Sequence, residues 1–214
     1  DLDRSQIMLN ASHTHCGPVL RGALHDIYPL NKEQIAQVNK YSTQLEQKLI
    51  DAVTTAIKNL EPASLWTGEG HTSFAVNRRN NMEADVPKLR KEGKLKGPID
   101  HSVPILAVKD KNGKLKTIVF GYACHNTTLG IQQWCGDYAG FAQYDLEAMF
   151  PGVTAMFYMG CGADQNPLPR RTMELAQSYG SRLAHAVADT VRLPMVELDP
   201  VLKTEIEIVD IKLG

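Results

Sequence analysis

The residues of this chain best suited to chemistry are His13-Thr14-His15. On an extended segment, side chains two apart point to the same side. Two imidazoles can therefore face one site, and a neutral imidazole is a good zinc ligand. Several unrelated metalloenzyme families use such a pair, and two histidines at a strand end can equally make ordinary hydrogen bonds. His125 follows an apolar run in Ala123-Cys124-His125-Asn126-Thr127. Ligands of α/β sheets gather at such strand ends, although a loop histidine there can simply be hydrogen-bonded. Arg78 and Arg79 in Asn77-Arg78-Arg79-Asn80 offer planar forks of donors for a carbonyl, a carboxylate or a developing oxyanion. The other reading of that pair is a solvated surface feature, and on an extended chain only one of the two can face a cleft. In Gly160-Cys161-Gly162-Ala163-Asp164-Gln165-Asn166-Pro167 the glycines allow close backbone approach to a ligand, and the amides can stabilise negative charge. A glycine turn with an Asx cap before Pro167 is the alternative. His25, His71 and His185 sit in no motif, and Asp100-His101 is placed to hydrogen-bond a ligand just before a strand.

These candidates need elements to hold them. Gln6 to Ser12 reads as a buried strand delivering His13, broken by Gly17 and Pro18. Asn31 with Gln34 is a capping-box pair opening a long helix. Ile35, Val38, Leu45, Leu49, Val53, Ile57 and Leu60 follow at helical spacing for one buried face, and Pro62 ends it. Leu65 to Phe74 reads as a strand with a glycine interruption, and Asn77 to Pro98 as a long polar loop with a short helical turn. Val103 to Val108 and Lys116 to Ala123 form a hairpin across Asn112-Gly113. Asp137 caps a helix to about Phe150, Val153 to Met159 is a short apolar strand of the fully buried type, and Gly160 to Pro169 is a tight loop. A second long helix spans about Thr172 to Arg192, and Val201 to Ile211 alternates as a final strand. Interleaved helices and strands with one antiparallel hairpin imply an α/β domain with a mixed β-sheet and packed helices.

The bulk composition narrows the function by exclusion. The chain has 214 residues and a formal net charge of -1, with no block of like charge, so nothing argues for a nucleic-acid partner. No apolar run approaches the roughly 20 residues of a transmembrane helix. The first residue is Asp1, no signal peptide is visible, and an apolar run starts almost at once, so the chain is expected to begin inside a domain. Cys16, Cys124, Cys135 and Cys161 form no CxxC pair; two disulfides are permitted, and free thiols are the simpler reading.

Taken in order, Asn10-Ala-Ser-His-Thr-His-Cys-Gly-Pro18, Asn77-Arg78, Ala123-Cys-His125, Gly136-Asp-Tyr-Ala-Gly-Phe141 and Gly162-Ala-Asp-Gln-Asn-Pro167 resemble the neutral/alkaline ceramidase family. The resemblance implies a zinc amidase acting on N-acylated sphingoid bases, outside the cytoplasm (periplasmic or secreted). It makes His13 and His125 zinc ligands, places His15 beside the metal to hold water or substrate, and selects Arg78 over Arg79 for contact near the scissile group. Family members complete the zinc site with a Glu and a Tyr from farther along the chain. Residues 1–214 are therefore expected to be an incomplete portion of a larger catalytic domain, taking a small-molecule or lipid amide substrate; oligomeric state is left open. One departure concerns substrate. Asn166 stands where the family loop carries a Ser important for catalysis, and Cys16 replaces a Ser often found after the histidine motif. The zinc chemistry survives these changes, but ceramide itself does not follow. A non-catalytic relative binding a lipid or sugar-like ligand, and a metal hydrolase with another substrate, are the rival readings.

Overall fold

The computed structural model describes residues 2–23 and 27–212; His25 lies outside them. The sheet begins with the hairpin. β3 (Ser102–Asp110) and β4 (Leu115–Tyr122) pair antiparallel. The Asp110 carboxylate closes their turn by accepting from the backbone N–H groups of Asn112 and Lys114 at 2.8 and 3.0 Å. β1 (Ala63–His71) pairs antiparallel with β3 on the other side. β5 (Thr154–Met159) lies parallel to β4, and the two-residue β7 (Val196–Glu197) adds to β1. The order is β5-β4-β3-β1-β7, a mixed sheet as the sequence implies. A parallel pair needs a crossover connection, usually a helix, and α3 (Asp137–Met149) supplies it between β4 and β5.

α3 packs against α4 (Met173–Arg192), and together they cover one face of the sheet. Along β3 the inward side chains Val103, Ile105 and Ala107 alternate with less buried neighbours, as a one-sided sheet requires. The core joins these to Ile118, Phe120, Leu146, Leu183 and Val187, centred on Phe74. The Phe74 ring lies 4.7 Å from those of Tyr122 and Tyr179 and 5.0 Å from that of Tyr138. The glycine interruption in β1 has a packing cause. A Cβ on Gly70 would meet the Ala186 carbonyl oxygen at 2.8 Å, so α4 reaches β1 only because that position has no side chain.

Several expectations change. Residues 7–12 form no strand, and only a 3₁₀ turn, Arg4–Gln6, occurs there. Met8 and Leu9 are exposed, and Asn10 fastens the segment to the backbone N–H and carbonyl of Met159 with its side-chain amide. β5 is an edge strand with Met156 half exposed, because helices cover only one face. Residues 201–211 have no regular structure, and Leu202, Ile208 and Ile211 are in solvent, since no strand among the described residues receives them. α1 (Lys32–Lys58) forms with its Asn31/Gln34 capping box, yet Ile35, Leu49, Val53 and Ile57 are about half exposed. Its periodicity is correct for a helix; the partner that would bury the face is not among the described residues.

Two short strands missed in the sequence carry the site. β2 (Ala75–Asn77) pairs antiparallel with β6 (Gln165–Pro167), setting Val76 opposite Asn166 and Asn77 opposite Gln165. Each has three residues, too few to show alternation. The polar stretch after β2 holds a short helix, α2 (Val86–Lys91).

Candidate active site

The fold brings His13, His15 and His125 together. The rings of His13 and His125 meet edge to face at 4.5 Å between centroids, and those of His13 and His15 lie 5.3 Å apart. His125 enters from the loop after β4, and its backbone N–H donates to the Gln165 carbonyl at 3.1 Å. Its Nδ1 is 2.9 Å from the same oxygen. A carbonyl only accepts, so Nδ1 is the donor and Nε2 is the ring nitrogen left for the site. A hydrogen bond of this kind at the far ring nitrogen fixes the orientation of a metal-ligating histidine.

His13 is held from both sides. The Asn126 side chain donates to the Ser12 carbonyl at 2.8 Å. Thr14 Oγ1 donates to the Cys135 carbonyl at 3.0 Å and accepts from Cys16 N–H, while Cys135 N–H donates to the Cys16 carbonyl. Thr14 is thus the anchor, and its two neighbours are left for the site. His13 itself has φ 61°. A non-glycine residue there costs about 1–3 kcal/mol and persists only where its surroundings over-determine it. Among the described residues, the other non-glycine residues with positive φ are Asp137 (53°) and Arg171 (93°). Together with His13 and Arg170, these are the charged groups that act on His15.

Both exposed histidines are held below the ordinary imidazole value of 6.5. For His13 the causes are burial, then the neighbouring His125, then Arg78. For His15 they are burial, His13, Arg170 and Arg171, opposed by Asp137. The neutral form, able to ligate a metal or accept a proton, is favoured in each case.

Arg78 and Arg79 do not alternate across a strand, because β2 ends at Asn77 and the chain turns. Asn77 makes that turn: its Oδ1 accepts from Arg79 and Asn80 N–H, and its Nδ2 donates to Asp164 Oδ2 and the Pro98 carbonyl. Both arginines line a cavity of about 390 Å³, with Asn81, Glu83, Asn166 and Arg170 also on its wall. Arg78 is the one whose charge reaches His13. The glycine loop packs closely against the protein itself. A Cβ on Gly162 would lie 2.6 Å from Cys124 N, so the close approach is to the protein's own backbone beside His125. The N–H groups of Gly160, Gly162 and Gln165 donate to Tyr122, Gly160 and Gly162 carbonyls, and so are not free to hold an oxyanion. Asp100 is likewise committed to Ser102, and His101 to the Ala75 carbonyl. All four cysteines are free.

No model of a known protein family matches the chain. It is 23% identical over 152 residues to neutral ceramidase B of Dictyostelium discoideum, which covers 69% of this chain and 20% of that protein. It is 25% identical over 127 residues to the neutral ceramidase of Pseudomonas aeruginosa, covering 59% of this chain and 18% of that one. A solved ceramidase complexed with C2 superposes with a TM-score of 0.66 at 18% identity, over 88% of this chain and 31% of the other. The crystal structure of neutral ceramidase from Pseudomonas aeruginosa gives 0.58 at 16% identity, over 78% and 28%.

The chain is a relative of the neutral ceramidases.

It spans about a fifth of the length of those curated relatives, and the superpositions establish a shared fold. Three charged residues beside the histidines, Asp137, Arg170 and Arg171, carry no sequence signal for a place in the site. Asp137 looks like a helix cap, but Gly136 holds that position. Asp137 is fully buried, and its carboxylate accepts from Leu129 and Tyr138 N–H, both at 2.7 Å. Arg170 and Arg171 follow Pro169 without a motif; Glu83 pairs with Arg170 at 2.7 Å and orients it. Asn166 is 5% exposed, yet its Oδ1 has no hydrogen-bond partner among the described residues. No pattern in the sequence marks an unsatisfied amide. Among the described residues, no group of three or more His, Cys, Asp or Glu side chains is arranged to hold a metal, and no helix is long and apolar enough to cross a membrane.

Proposed function

We propose that this chain is the histidine-bearing portion of a zinc-dependent amidohydrolase, ceramidase-like, acting on an N-acylated substrate outside the cytoplasm. The observation that carries the reading is the edge-to-face meeting of His13 and His125, with His125 Nδ1 tied to a carbonyl. The donor chemistry fits zinc: two imidazoles, one with its Nδ1 already held by a backbone carbonyl. A catalytic zinc usually has three protein ligands, so His13 and His125 are a partial set, which the family resemblance completes with a Glu and a Tyr. Zinc bound there supplies Lewis acidity, polarising an amide carbonyl and making a nearby water more acidic.

The chain's own residues take the remaining roles. His15, neutral and beside His13, accepts a proton from water and returns it to the leaving amine. Arg78 donates to the carbonyl oxygen as negative charge develops there. Asn166 stands where the family carries a Ser; an amide cannot act as a nucleophile, but it can donate to or orient the substrate amide. This favours a substrate smaller or more polar than ceramide.

The test is zinc titration of the chain with a competing chelator, beside the same titration of His13→Ala and His125→Ala. Weak binding by the parent chain that disappears in both variants supports the reading. Binding unchanged in either variant removes that histidine from the metal set.

A further inference from the structure

Two cysteines lie where the histidine loop is tied to the segment leading into α3. Cys135 N–H donates to the Cys16 carbonyl at 3.0 Å. Thr14 Oγ1 donates to the Cys135 carbonyl at 3.0 Å and accepts from Cys16 N–H at 3.2 Å. Residues whose backbones bond across two chain segments have Cα atoms about 5.5 Å apart, inside the roughly 4.4–6.8 Å that a disulfide spans. The side chains share a place as well. Cys135 packs against the small apolar cluster of Cys16, Leu129 and Ala176, beside Ile131 and Phe141.

The two members of this pair differ in access. Cys16 is 3% exposed, whereas Cys135 is half-buried and lines an open cavity of about 590 Å³. A reagent in solvent therefore meets Cys135 first, with Cys16 behind it. Cys16 also stands where the ceramidase family often has a Ser, which cannot be cross-linked. The remaining thiols are placed differently: Cys124 is fully buried with its Sγ 3.8 Å from the His125 carbonyl oxygen, and Cys161 is exposed.

We propose that Cys16 and Cys135 form a disulfide that fastens the histidine loop to the segment before α3. The oxidant is an external disulfide, of the glutathione or dithiol-oxidase class. The Cys135 thiolate attacks one of its sulfurs, releasing one external thiol and leaving a mixed disulfide at Cys135. The Cys16 thiolate then attacks Cys135 Sγ, and the second external thiol leaves. One external disulfide is reduced to two thiols, two cysteines are oxidised, and their two protons pass through solvent to the leaving thiolates. The bond closes a loop of roughly 120 residues, which constrains the unfolded chain strongly. It rests on the packing of the two cysteines and not on zinc. The location outside the cytoplasm proposed above is where such a bond persists. With the thiols reduced, the loop bearing His13 and His15 is held here by hydrogen bonds; oxidation adds a covalent tie.

The test is oxidation of the folded 214-residue chain in a buffer of glutathione disulfide and glutathione. Proteolysis without reductant, followed by mass spectrometry, locates the cross-link. The main product expected is a linked peptide joining Cys16 to Cys135. Cys16→Ser and Cys135→Ser each abolish it, and Cys161→Ser, which removes the exposed thiol, leaves it unchanged. Oxidation should raise Tm by roughly 10 °C. It should also slow amide exchange at residues 13–16 at least about tenfold. Neither change should occur in Cys16→Ser, whose circular dichroism verifies that the fold is kept. No linked peptide, a glutathione adduct that persists at Cys135, or a cross-link to Cys124 or Cys161 instead overturns the proposal and leaves the pair as packed apolar side chains. A Tm unchanged or lowered by the cross-link also overturns it, because the two cysteines would then not be neighbours in the native fold. Failure here leaves the zinc titration intact, whereas a cross-link without zinc binding would sink the amidohydrolase reading and leave the disulfide standing.

Discussion

Around His125 the chain buries polar residues, and along α1 it leaves apolar ones in water. Asn126, Thr128 and Asp137 are fully buried near the histidines. Asn126 and Asp137 are joined to backbone groups by short hydrogen bonds. Ile35, Leu49, Val53 and Ile57 on α1, and Leu202, Ile208 and Ile211 in the last segment, stand exposed. Elsewhere the hydrophobic effect supplies most of the stability. In the site region, cohesion depends instead on buried hydrogen bonds such as those of Asn126 and Asp137, which is a less forgiving arrangement: a lost partner leaves a desolvated group behind.

Substitutions can break this contrast, and the largest effect is expected at Asp137. Its carboxylate satisfies two buried N–H groups, so Asp137→Ala should destabilise the chain by about 3 kcal/mol in denaturant unfolding. Tyr138→Phe comes next. Tyr138 Oη donates to the Cys124 carbonyl at 2.6 Å, beside His125. Losing that buried bond should cost about 1–2 kcal/mol. On α1 the same measurement should find little: Ile57→Gln is expected to change stability by less than about 0.5 kcal/mol. A large loss there would mean that α1 is buried in solution and that the contrast is false.

How far the sequence discloses each region follows the same division. The α1 capping box and helical period are local, so they are legible; what the apolar face packs against is not a local property. The hairpin at Asn112-Gly113 and the α3 crossover are also local signals. The histidine motif was legible as chemistry but not as structure. His13 and His15 share a side because Thr14 is anchored to the Cys135 carbonyl, 121 residues away in the chain, and not because a strand alternates. Arg170 carries no sequence signal and Asp137 reads only as a helix cap, because their roles depend on partners, Glu83 and the backbone of Leu129, that only the fold brings near.

The smallest expected effect is electrostatic. In an NMR titration His13 and His15 should both have midpoints below 6.5. Because the folded values are lowered, the unfolded chain takes up protons first as the pH falls. The associated stability is therefore fully present above about pH 6.5 and is lost as the pH drops toward and through the folded midpoints. Arg78→Ala should raise the His13 midpoint slightly, since Arg78 is the third-ranked cause of its shift. An unmoved midpoint would place Arg78 farther from the histidines than the structure does.

The central claim is that His13 and His125 face one metal ion. X-ray absorption at the zinc edge on the zinc-loaded chain tests it directly. The account predicts two imidazole ligands at about 2.0–2.1 Å, with oxygen completing the shell and no sulfur, and one imidazole in His13→Ala. A sulfur ligand at about 2.3 Å, from any of the four free cysteines, or an imidazole count unchanged by His13→Ala, would contradict it.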